Sequence, residues 1–504
     1  IEEVANNPDC FAFNEMFPGG FTPRFGGTVQ DMSLVFGTRG ELANEIGYDV
    51  SLNLGQNEID FAISNTINPS MGPETPTSFK PGTYVQSEQT LDIDLTKPIE
   101  VGLNEPLYLA GGFQYRHESY EAKAGDIASY TIGPLASQGF GIGSNGFPGL
   151  SNKSQGEASR HNIAFYLDAE LYLTDDFLVA AAVRYEDFSD FGNTTKGKLS
   201  ARYQLTDSIA FRGAYSTGFK APTIGQSTVR NVTTAFGSSG QLEDQATLPP
   251  TDPISVQKGG TPLTPEESVS MSFGVVAEFD NGLFLTADYY NIELTDRIST
   301  ASGIALTEED IATLLEQGIN DASSFSEISF FTNDFDTTTE GVDVVANYSM
   351  DMMGGETKFS LAYNWTSTEV DRASDNISDF RIRMLEDNLP AVRYSATANH
   401  TNGDWRFLAR MNYYGSIFED HLDSALPIDK VGSEITFDFE VAYNFTEEFT
   451  VTVGAKNAFD EYPDENNTDA GGITYAQIAG SAYPTTSPIG INGGFYYLRG
   501  VYTF

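Results

Sequence analysis

The sequence predicts an all-β fold, namely an antiparallel barrel whose strands cross a membrane. Three observations lead to this prediction: long segments alternate apolar and polar residues, short and long connections alternate along the chain, and the chain ends on an aromatic strand at Phe504. No segment approaches the roughly 18 consecutive apolar residues that a membrane-spanning helix requires. A membrane crossing would therefore be made by strands.

The segment 164–188 shows the alternation most clearly. One face of its first strand carries Phe165, Leu167, Ala169, Leu171 and Leu173, whereas the other face carries Tyr166, Asp168, Glu170 and Tyr172. After a short turn at 174–176 the alternation resumes, which predicts a hairpin whose two strands each have one apolar face.

The same hairpin unit recurs at 199–216, 273–294, 348–365, 394–415 and 439–457. We predict about 17 strands in total, with much longer connections around 126–157, 221–262, 298–327, 371–387 and 461–492. A soluble sandwich would have shorter strands and no such regular asymmetry. In lipid, every backbone N–H and C=O group must be paired internally, which favours a closed barrel.

The final strand also has two distinct faces. Tyr496, Leu498, Tyr502 and Phe504 share one face, and Tyr497, Arg499 and Thr503 share the other. Aromatic rings are well placed at a membrane interface. The terminal pair Tyr502 and Phe504 is similar to the assembly signal that outer-membrane barrels present to their insertion machinery. The alternative is an ordinary last strand of a soluble sheet.

The orientation follows from the last strand if Phe504 lies in the periplasm. The short turns are then periplasmic, the long connections are extracellular, and the first strand, 28–40, descends toward the periplasm. We therefore divide the chain into an extracellular loop segment, 1–27, and the barrel, 28–504. Bacterial barrels usually have an even number of strands, so we expect further strands in front of Ile1.

Charge and cysteine content narrow the possible partners. The chain has 71 Asp and Glu residues against 27 Lys and Arg residues, a net charge of −44, and Cys10 as its single cysteine. Such an acidic chain is not expected to bind nucleic acid, and it disfavours a strongly anionic ligand. We interpret the excess of acidic residues as a solvated acidic surface rather than as a dedicated cation site. Cys10 either pairs outside this segment or stays a lone thiol.

Five motifs carry a resemblance to a known family: FRGAYSTGFKAP (211–222), LTPEESVSMSFG (263–274), TTEGVDVVANY (338–348), VTVGAKNAFDEYP (451–463) and YLRGVYTF (497–504). Together they resemble the C-terminal barrel of a TonB-dependent outer-membrane receptor. The resemblance implies a barrel of about 22 strands, occluded by an N-terminal plug that releases nutrient inward when TonB pulls on it. The plug and several strands are expected outside this sequence.

The resemblance also implies the partners. These are outer-membrane lipid and lipopolysaccharide, the missing N-terminal plug segment, the TonB–ExbB–ExbD energy-coupling complex and a small nutrient ligand. Arg212 is expected to point into the lumen and to contact the plug or wall carboxylates such as Asp168 and Glu170. Arg499 is a further candidate for a lumen or plug contact.

Substrate contacts are expected from the long loops. The segment 325–335 brings together four aromatic residues and one carboxylate: Phe325, Phe330, Phe331, Phe335 and Asp334. Such a patch could stack on a sugar or an aromatic siderophore; the alternative is that the loop packs on itself. Within the same loop, 305–318 predicts a short helix that is capped by Thr307, with Asp310 three residues on.

Other candidate sites are rejected on the sequence. GIGSNG, 141–146, matches a dinucleotide-binding pattern but is followed by Phe-Pro and no helix. Four scattered histidines, His117, His161, His400 and His421, do not suggest a zinc site. DEYPDENNTD, 460–469, lacks the spacing of an EF-hand, and a solvated acidic loop is favoured over a calcium site. We expect no catalytic residue, cofactor or metal.

The sequence therefore predicts an active importer rather than an enzyme. It would take up a scarce nutrient, which could be a carbohydrate, a peptide, a siderophore or another metal chelate. A passive outer-membrane porin is the main alternative and would lack a plug. A surface adhesin or a barrel-borne hydrolase would need a long exposed domain or a nucleophile motif, and neither is recognisable.

Overall fold

The computed structural model describes most of the chain, including all residues of the predicted hairpins. The described residues are 13–138, 140–236, 242–301, 303–319, 322, 325–374, 377, 379–419, 428–465, 469–470, 473–474, 482–484 and 486–504. Cys10 and His421, which the sequence singled out, lie outside these residues.

The strands are numbered in chain order. The first twelve are β1 (Arg24–Leu42), β2 (Ile46–Ser64), β3 (Ser78–Ile99), β4 (Leu107–Ala124), β5 (Gly156–Thr174), β6 (Phe177–Phe188), β7 (Gly192–Thr206), β8 (Ile209–Lys220), β9 (Asn231–Phe236), β10 (Leu242–Thr247), β11 (Glu266–Glu278) and β12 (Leu283–Thr300). The others are β13 (Ile304–Ala305), β14 (Phe325–Ser329), β15 (Phe331–Met352), β16 (Gly355–Ala373), β17 (Val392–Asn402), β18 (Trp405–Tyr414), β19 (Ile417–Glu419), β20 (Ile428–Val431), β21 (Glu434–Asn444), β22 (Phe449–Lys456), β23 (Asp469–Ala470), β24 (Ile473–Thr474) and β25 (Phe495–Tyr502).

Helices occur between the strands. The α-helices are α1 (Ile224–Thr228), α2 (Pro253–Gln257), α3 (Glu308–Glu316) and α4 (Asp379–Asp387), and the 3-10 turns are Phe13–Glu15, Pro69–Glu74, Ile127–Ser129 and Ala136–Gln138. Across the described part of the chain, no helix has the length and apolar character needed to span a membrane.

Seventeen strands form one antiparallel sheet, which we call the wall. Each wall strand pairs with the next wall strand along the chain, in the order β1 to β8, β11, β12, β15 to β18, β21, β22 and β25. The predicted strand number and antiparallel hairpin order are confirmed. β1 begins at Arg24, four residues before the predicted barrel boundary at 28.

The wall has an apolar face and a polar face, as the alternation predicts. On β5 the apolar face exposes Phe165 by 53% and Leu167 by 49%, while Tyr166 on the opposite face is hydrogen-bonded to β3. Successive side chains of a strand point to opposite sides, so this alternation gives the whole wall two surfaces of different polarity. The exposed apolar surface would aggregate in water but suits a hydrocarbon environment.

Short and long connections leave opposite ends of the wall. The short ones are 43–45, 100–106, 175–176, 207–208, 279–282, 353–354, 403–404 and 445–448. The long ones are 65–77, 125–155, 221–265, 301–330, 374–391, 415–433 and 457–494. One connection departs from the prediction, because β6 and β7 are joined at the long-loop end by only residues 189–191.

A polar bridge crosses three strands of the wall at Gly112. Asp94 on β3 and Tyr166 on β5 are both register partners of Gly112 on β4. The Tyr166 hydroxyl donates to Asp94 Oδ1 at 2.5 Å. A Cβ atom on Gly112 would lie 2.5 Å from Asp94 Oδ1 and 2.4 Å from the Tyr166 ring. The bridge therefore requires glycine on the middle strand.

The same arrangement recurs around Gly274. This glycine on β11 is the register partner of both Arg212 on β8 and Asp288 on β12. Arg212 donates to Asp288 through Nε at 2.7 Å and Nη2 at 2.6 Å. A Cβ atom on Gly274 would lie 1.9 Å from Asp288 Oδ1. A one-residue slip would turn these groups to the opposite face, so the bridge favours the observed register.

A third bridge joins the last strands of the wall. Glu440 on β21 and Tyr497 on β25 are register partners of Gly454 on β22, and the Tyr497 hydroxyl donates to the Glu440 carboxylate. Tyr497 thus belongs to the polar face, as the final-strand pattern predicts. Glycine in a strand interior marks a close approach at all three places.

Replacing Gly274 with alanine tests the bridge between Arg212 and Asp288. The new methyl group would displace the Asp288 carboxylate, and we expect Gly274→Ala to lower the free energy of unfolding by about 1 kcal/mol, because the pair is partly solvated. Thermal unfolding of the purified protein in detergent measures the effect. Gly213→Ala is the control, since its Cβ would meet Ser272 O at 3.4 Å. Equal midpoints for the two variants would contradict the prediction.

Candidate functional site

Near the long-loop end, the polar face of β4 to β6 carries a hydrogen-bonded network of charged groups. Arg160 donates through Nε to Glu118 Oε2 at 2.7 Å and through Nη1 to the Pro222 carbonyl at 2.6 Å. Arg184 donates through Nε to Glu186 Oε1 at 2.7 Å. Arg160 is buried. Its bond to Pro222 ties the loop that follows β8 to β5, which lies three strands earlier in the wall.

The structure gives Arg212 a different wall partner from those suggested by the sequence. Its carboxylate partner is Asp288, and not Asp168 or Glu170. The reason is distance across the sheet. Arg212 is on β8, and Asp288 is on β12, with only β11 between them. Asp168 and Glu170 are on β5, which lies three strands away on the other side of β8. Arg499 lies two residues after Tyr497 on β25 and shares its polar face.

Two long loops combine into one folded unit, which we call the loop cap: residues 221–265 and 301–330, as far as they are described. Its four-stranded sheet has the order β13, β14, β10, β9. β10 is antiparallel to β9 and parallel to β14, and the Leu248 amide continues this pairing by donating to the Ser329 carbonyl at 2.9 Å. The two loops are therefore joined by backbone hydrogen bonds.

The loop cap has its own hydrophobic core. Its buried residues are Val232, Ala246, Leu248, Ile254, Leu314, Ala322, Phe325, Ile328 and Phe330. A separate hydrophobic cluster of this kind is stabilised by its own packing and can unfold as a local unit. The two loops of the cap therefore form one folded unit with a shared sheet and a shared core.

The aromatic patch predicted as a substrate contact lies partly in this core and partly beside it on β15. Phe325 and Phe330 are core members, Phe335 and Asp334 are also buried, and Phe331 is half-buried. These side chains do not form an open stacking surface in the structure. The phenylalanine side chains are buried because removing apolar surface from water lowers the free energy of the loop. This arrangement corresponds to the alternative in which the loop packs on itself.

Ion pairs and a helix cap stabilise the loop cap. Arg230 Nη1 pairs with Asp252 Oδ2 at 3.0 Å, and Lys258 Nζ pairs with Asp310 Oδ2 at 2.9 Å. The predicted helix is confirmed as α3, with Thr307 as N-cap and a reciprocal bond to Asp310. Hydrogen bonds from Thr307, together with Lys258, hold the pKa of the Asp310 carboxyl well below its usual range.

A second group of loops is joined around Glu419. This buried carboxylate accepts from the Thr486 hydroxyl at 2.7 Å and from the Thr486 amide at 3.2 Å. Asn388 Nδ2 donates to the Phe418 carbonyl at 3.1 Å and to Thr486 Oγ1 at 3.0 Å. The Arg383 guanidinium lies 3.9 Å from the Phe418 ring centroid. Three connections, 374–391, 415–433 and 457–494, thus share one polar anchor.

A third pair of loops, 65–77 and 125–155, is held by buried polar groups. Asn68 Nδ2 donates to the carbonyls of Ala128 and Thr131, both at 2.9 Å. Ser70 Oγ donates to Asn68 Oδ1 at 2.7 Å. Buried and satisfied polar networks of this kind fix one conformation, so loop 125–155 is anchored to its neighbour.

Aromatic residues mark two levels on the apolar face. At the short-turn end Trp405, Tyr443 and Phe445 are neighbours, with ring centroids 4.7 and 4.8 Å apart. Phe449 follows at 5.9 Å from Phe445, and its register partner is Tyr502 of the final strand. Nearer the long-loop end Tyr394 and Tyr413 stack at 4.8 Å. Two such levels are typical of the girdles at membrane interfaces.

The structure describes most residues of the motifs that the sequence rejected as sites. GIGSNG, 141–146, lies in a loop with no helix after it. His117 and His161 are register partners on β4 and β5, a proximity that their sequence separation hides. In the described ranges, no cluster of three or more His, Cys, Asp or Glu side chains is placed to hold a metal ion. Residues 466–468 of the acidic segment 460–469 lie outside these ranges.

The comparisons with known proteins agree with this geometry. The family model described as TonB dependent receptor-like, beta-barrel matches residues 12–458. The chain belongs to this family of TonB-dependent receptor barrels, which confirms the predicted fold class and indicates an outer-membrane location. Receptors of this family are transporters and not enzymes, in agreement with the prediction.

Individual relatives are distant. A probable TonB-dependent siderophore receptor, PirA of Acinetobacter baumannii, is 20% identical over 311 residues, which cover 59% of this chain and 38% of that protein. The chain therefore spans well under half of this curated relative.

The solved structures show the same fold at low identity. A mutant of the ferric enterobactin receptor PfeA of Pseudomonas aeruginosa, in complex with enterobactin, matches with TM-score 0.65 and 15% identity over 94% of this chain and 62% of that one. The siderophore receptor PirA of Acinetobacter baumannii matches with TM-score 0.63 and 15% identity over 95% and 63%. The ferripyoverdine receptor of Pseudomonas aeruginosa, bound to ferripyoverdine, matches with TM-score 0.59 and 14% identity over 94% and 56%.

Sequence reasoning missed the loop cap and the bridges of the wall. The glycines at 112, 274 and 454 were available as a signal, because glycine inside a strand indicates close approach. The pairing of β10 with β14 had no comparable signal, since it joins segments about 80 residues apart through a parallel contact.

Leu314 tests whether the loop cap has a core of its own. This residue of α3 is fully buried, whereas its neighbour Leu315 is 42% exposed. We expect Leu314→Ala to destabilise the cap by about 3 kcal/mol through the cavity that it leaves, and Leu315→Ala to have little effect. Limited proteolysis followed by mass spectrometry would then show faster cleavage within the cap for Leu314→Ala alone. Similar cleavage of both variants would contradict a separate core.

The lowered pKa of Asp310 predicts an acid-sensitive cap. A carboxyl whose folded pKa is depressed stabilises the fold above its unfolded pKa of about 3.9, and this stabilisation is lost as pH falls below that value. We expect amide protection of α3, corrected for intrinsic exchange rates, to fall below about pH 4 in the wild type. Asp310→Asn should show weaker protection at neutral pH and less pH dependence. Glu309→Gln, which keeps the cap bonds, should behave like the wild type.

Proposed function

We propose that the chain forms the wall and long loops of a TonB-dependent outer-membrane receptor that takes up a metal chelate of the siderophore class. The observation that carries the proposal is that the wall belongs to the receptor family and that its long loops, at one end, are folded together by hydrogen bonds, ion pairs and a hydrophobic core. Loops that are held in one conformation on a rigid scaffold can form a preformed binding surface for a ligand. The siderophore class is favoured because the relatives reported above are siderophore receptors by name.

The proposed orientation places the long loops outside the cell and the C-terminus in the periplasm. Its support is the usual asymmetry of outer-membrane barrels, which have short periplasmic turns and longer extracellular loops. Residues 1–27 would then begin on the extracellular side. Tyr502 and Phe504 would lie at the inner interface, beside Phe449, and serve as the assembly signal.

The proposed partners follow from the family. Energy would come from the TonB–ExbB–ExbD complex, acting on a plug that the whole protein supplies together with the strands needed to complete about 22. This proposal fits a chain that spans 62% and 63% of two solved receptors. Outer-membrane lipid and lipopolysaccharide would cover the apolar face. Arg212 and Arg499 remain proposed lumen or plug contacts.

The charge of the chain favours a neutral or cationic chelate. A net charge of −44 repels strongly anionic ligands at long range and lowers their rate of encounter. Carbohydrates and peptides are the other nutrient classes compatible with the fold. They would be identified by the same transport experiment.

Uptake by a gene-deletion strain tests the proposal and separates it from a passive porin. We expect the deletion to abolish accumulation of one iron-loaded siderophore from a panel of neutral, cationic and anionic chelates, and the complete gene to restore it. Accumulation should also stop after a protonophore is added or in a strain without TonB, because import into the periplasm is energy-coupled. A matched strain that expresses a vector alone is the control.

The other outcomes are equally informative. Uptake that persists with the protonophore would indicate a porin. A growth defect on one sugar or peptide, with iron uptake unchanged, would reassign the substrate class. Rescue only by an anionic ferric complex would overturn the charge argument.

A further inference from the structure

A group of three methionines, which we call the methionine turn, marks the short connection between β15 and β16. Met350 and Met352 are on β15, and Met353 follows in the connection 353–354. Three of the nine methionines of the chain therefore fall within residues 350–353. Met353 is 80% exposed and Met350 is 39% exposed. Exposed thioethers do not fill gaps in a core, which is the usual structural role of methionine.

The backbone of the turn does not favour methionine either. Met353 has a φ of +52° and Gly354 a φ of +78°, and they join the register partners Met352 and Gly355. A two-residue hairpin turn with positive φ at both positions prefers asparagine, aspartate or glycine at the first of them. Other residues in this conformation are uncommon and cluster at functional sites. Neither packing nor backbone conformation accounts for methionine at 353.

The imidazole of His400 lies close to the methionine turn on the same face of the wall. Met350 on β15 and His400 on β17 are both register partners of Thr357 on β16. Their backbones are therefore about 10 Å apart, which is twice the spacing of neighbouring strands. Thr357 is buried, although it lies on the apolar face two residues from the exposed Phe359. Side chains of the two flanking strands thus cover Thr357 and approach each other.

A hydrogen bond fixes the orientation of the His400 ring. Thr357 Oγ1 and His400 Nδ1 are 2.8 Å apart, and the ring stacks on Phe407 with centroids 6.3 Å apart. A histidine that ligates a metal ion commonly uses its other ring nitrogen in a bond of this kind, which sets the tautomer and the direction of the ring. Nε2 is therefore the nitrogen of His400 that can ligate an ion.

The methionine turn lies where ions in water have access. Asn402 Nδ2 donates to the Met353 carbonyl at 3.2 Å, and Asn402 is the register partner of Trp405. Trp405 belongs to the aromatic level at the short-turn end, which is typical of a membrane interface. The thioethers are therefore beside water rather than in the middle of the hydrocarbon.

The charges around the turn favour a cation. Asp351 and Glu356 are exposed register partners on β15 and β16. Lys358 Nζ lies 3.6 Å from Glu356 Oε1 and balances one of these two carboxylates. Exposed negative charge raises the local concentration of cations.

We propose that the methionine turn and His400 bind a soft monovalent cation such as Cu⁺. Thioether and imidazole donors select an ion of this kind over Mg²⁺ or Ca²⁺, which prefer oxygen ligands. The flexible thioethers of Met350, Met352 and Met353 close on the ion from the side of β15, and Nε2 of His400 does so from β17. The inference goes beyond the proposed function, because this site is separate from the long loops and does not depend on which nutrient is taken up.

Silver(I), an ion of the same class that is stable to redox change, is the probe. The complete protein is labelled with ¹³C at its methionine methyl groups and kept in detergent and chloride-free buffer, with thiols blocked by N-ethylmaleimide. Single replacements by leucine assign the methyl signals of the turn. Titration with silver nitrate then follows each thioether separately. Met32 and Met271, which are exposed on other strands, are internal controls.

We expect the signals of the turn to shift at silver concentrations at least about tenfold lower than those that shift Met32 and Met271, because several donors on one ion bind more tightly than one. His400→Gln should weaken binding to the turn at least about tenfold. His161→Gln is its matched control, since His161 is an exposed histidine on β5. This variant should bind silver like the wild type.

Met353→Asn separates binding from stability. Asparagine followed by glycine suits this turn better than methionine does, so the variant should unfold at a higher temperature than the wild type without silver. It should nevertheless bind silver more weakly, because one thioether is lost. A higher midpoint with unchanged affinity would give Met353 no part in the site and overturn the proposal.

Other results would also overturn the proposal. They are shifts of the turn and of the control methionines at the same silver concentration, wild-type affinity in His400→Gln, and displacement of silver by an equal concentration of Zn²⁺. Equal thermal midpoints of His400→Gln and His161→Gln would show that a loss of affinity is not unfolding. If His400→Gln does not fold, Met353→Asn still decides between the outcomes.

Discussion

The pairing of every backbone amide and carbonyl in a hydrocarbon environment is the constraint on which the wall depends. Unpaired peptide groups in lipid cost several kcal/mol each, so the strands must be long, continuous and paired with their neighbours, as the wall strands are from β1 to β25 along the sheet. Once the backbone is satisfied in this way, side chains alternate between two environments. The apolar side exposes residues such as Phe165 and Leu167, and the polar side is left to bond within itself.

The polar side uses that freedom to connect strands that are not adjacent. At Gly112, Gly274 and Gly454 a side chain reaches over the missing Cβ to a carboxylate two strands away. Backbone bonds join only neighbouring strands, so these bridges add a second layer of connection and favour one register. Arginines pair with the carboxylates of Asp288 and Glu440 in two of the bridges, and with those of Glu118 and Glu186. Part of the acidic charge on the polar side is therefore neutralised locally.

The loops follow a different physical rule from the wall. Outside the lipid a long connection is stable only if it buries apolar surface or ties down its polar groups. The loop cap uses a hydrophobic core and two ion pairs, loop 125–155 uses buried hydroxyl and amide groups, and the loops around Glu419 use a buried carboxylate.

The sequence by itself determined the wall, the hairpins, the final strand and the capped helix at Thr307, because period-two polarity, turn residues and capping residues are local signals. The tertiary structure alone decided which distant groups meet. It paired Arg212 with Asp288 rather than Asp168, buried Phe325 and Phe330 in a core, and joined two loops through β10 and β14. These contacts depend on how strands and loops are arranged in space. The glycine at 274 indicates a close approach, but no local pattern in the chain identifies which distant groups meet there.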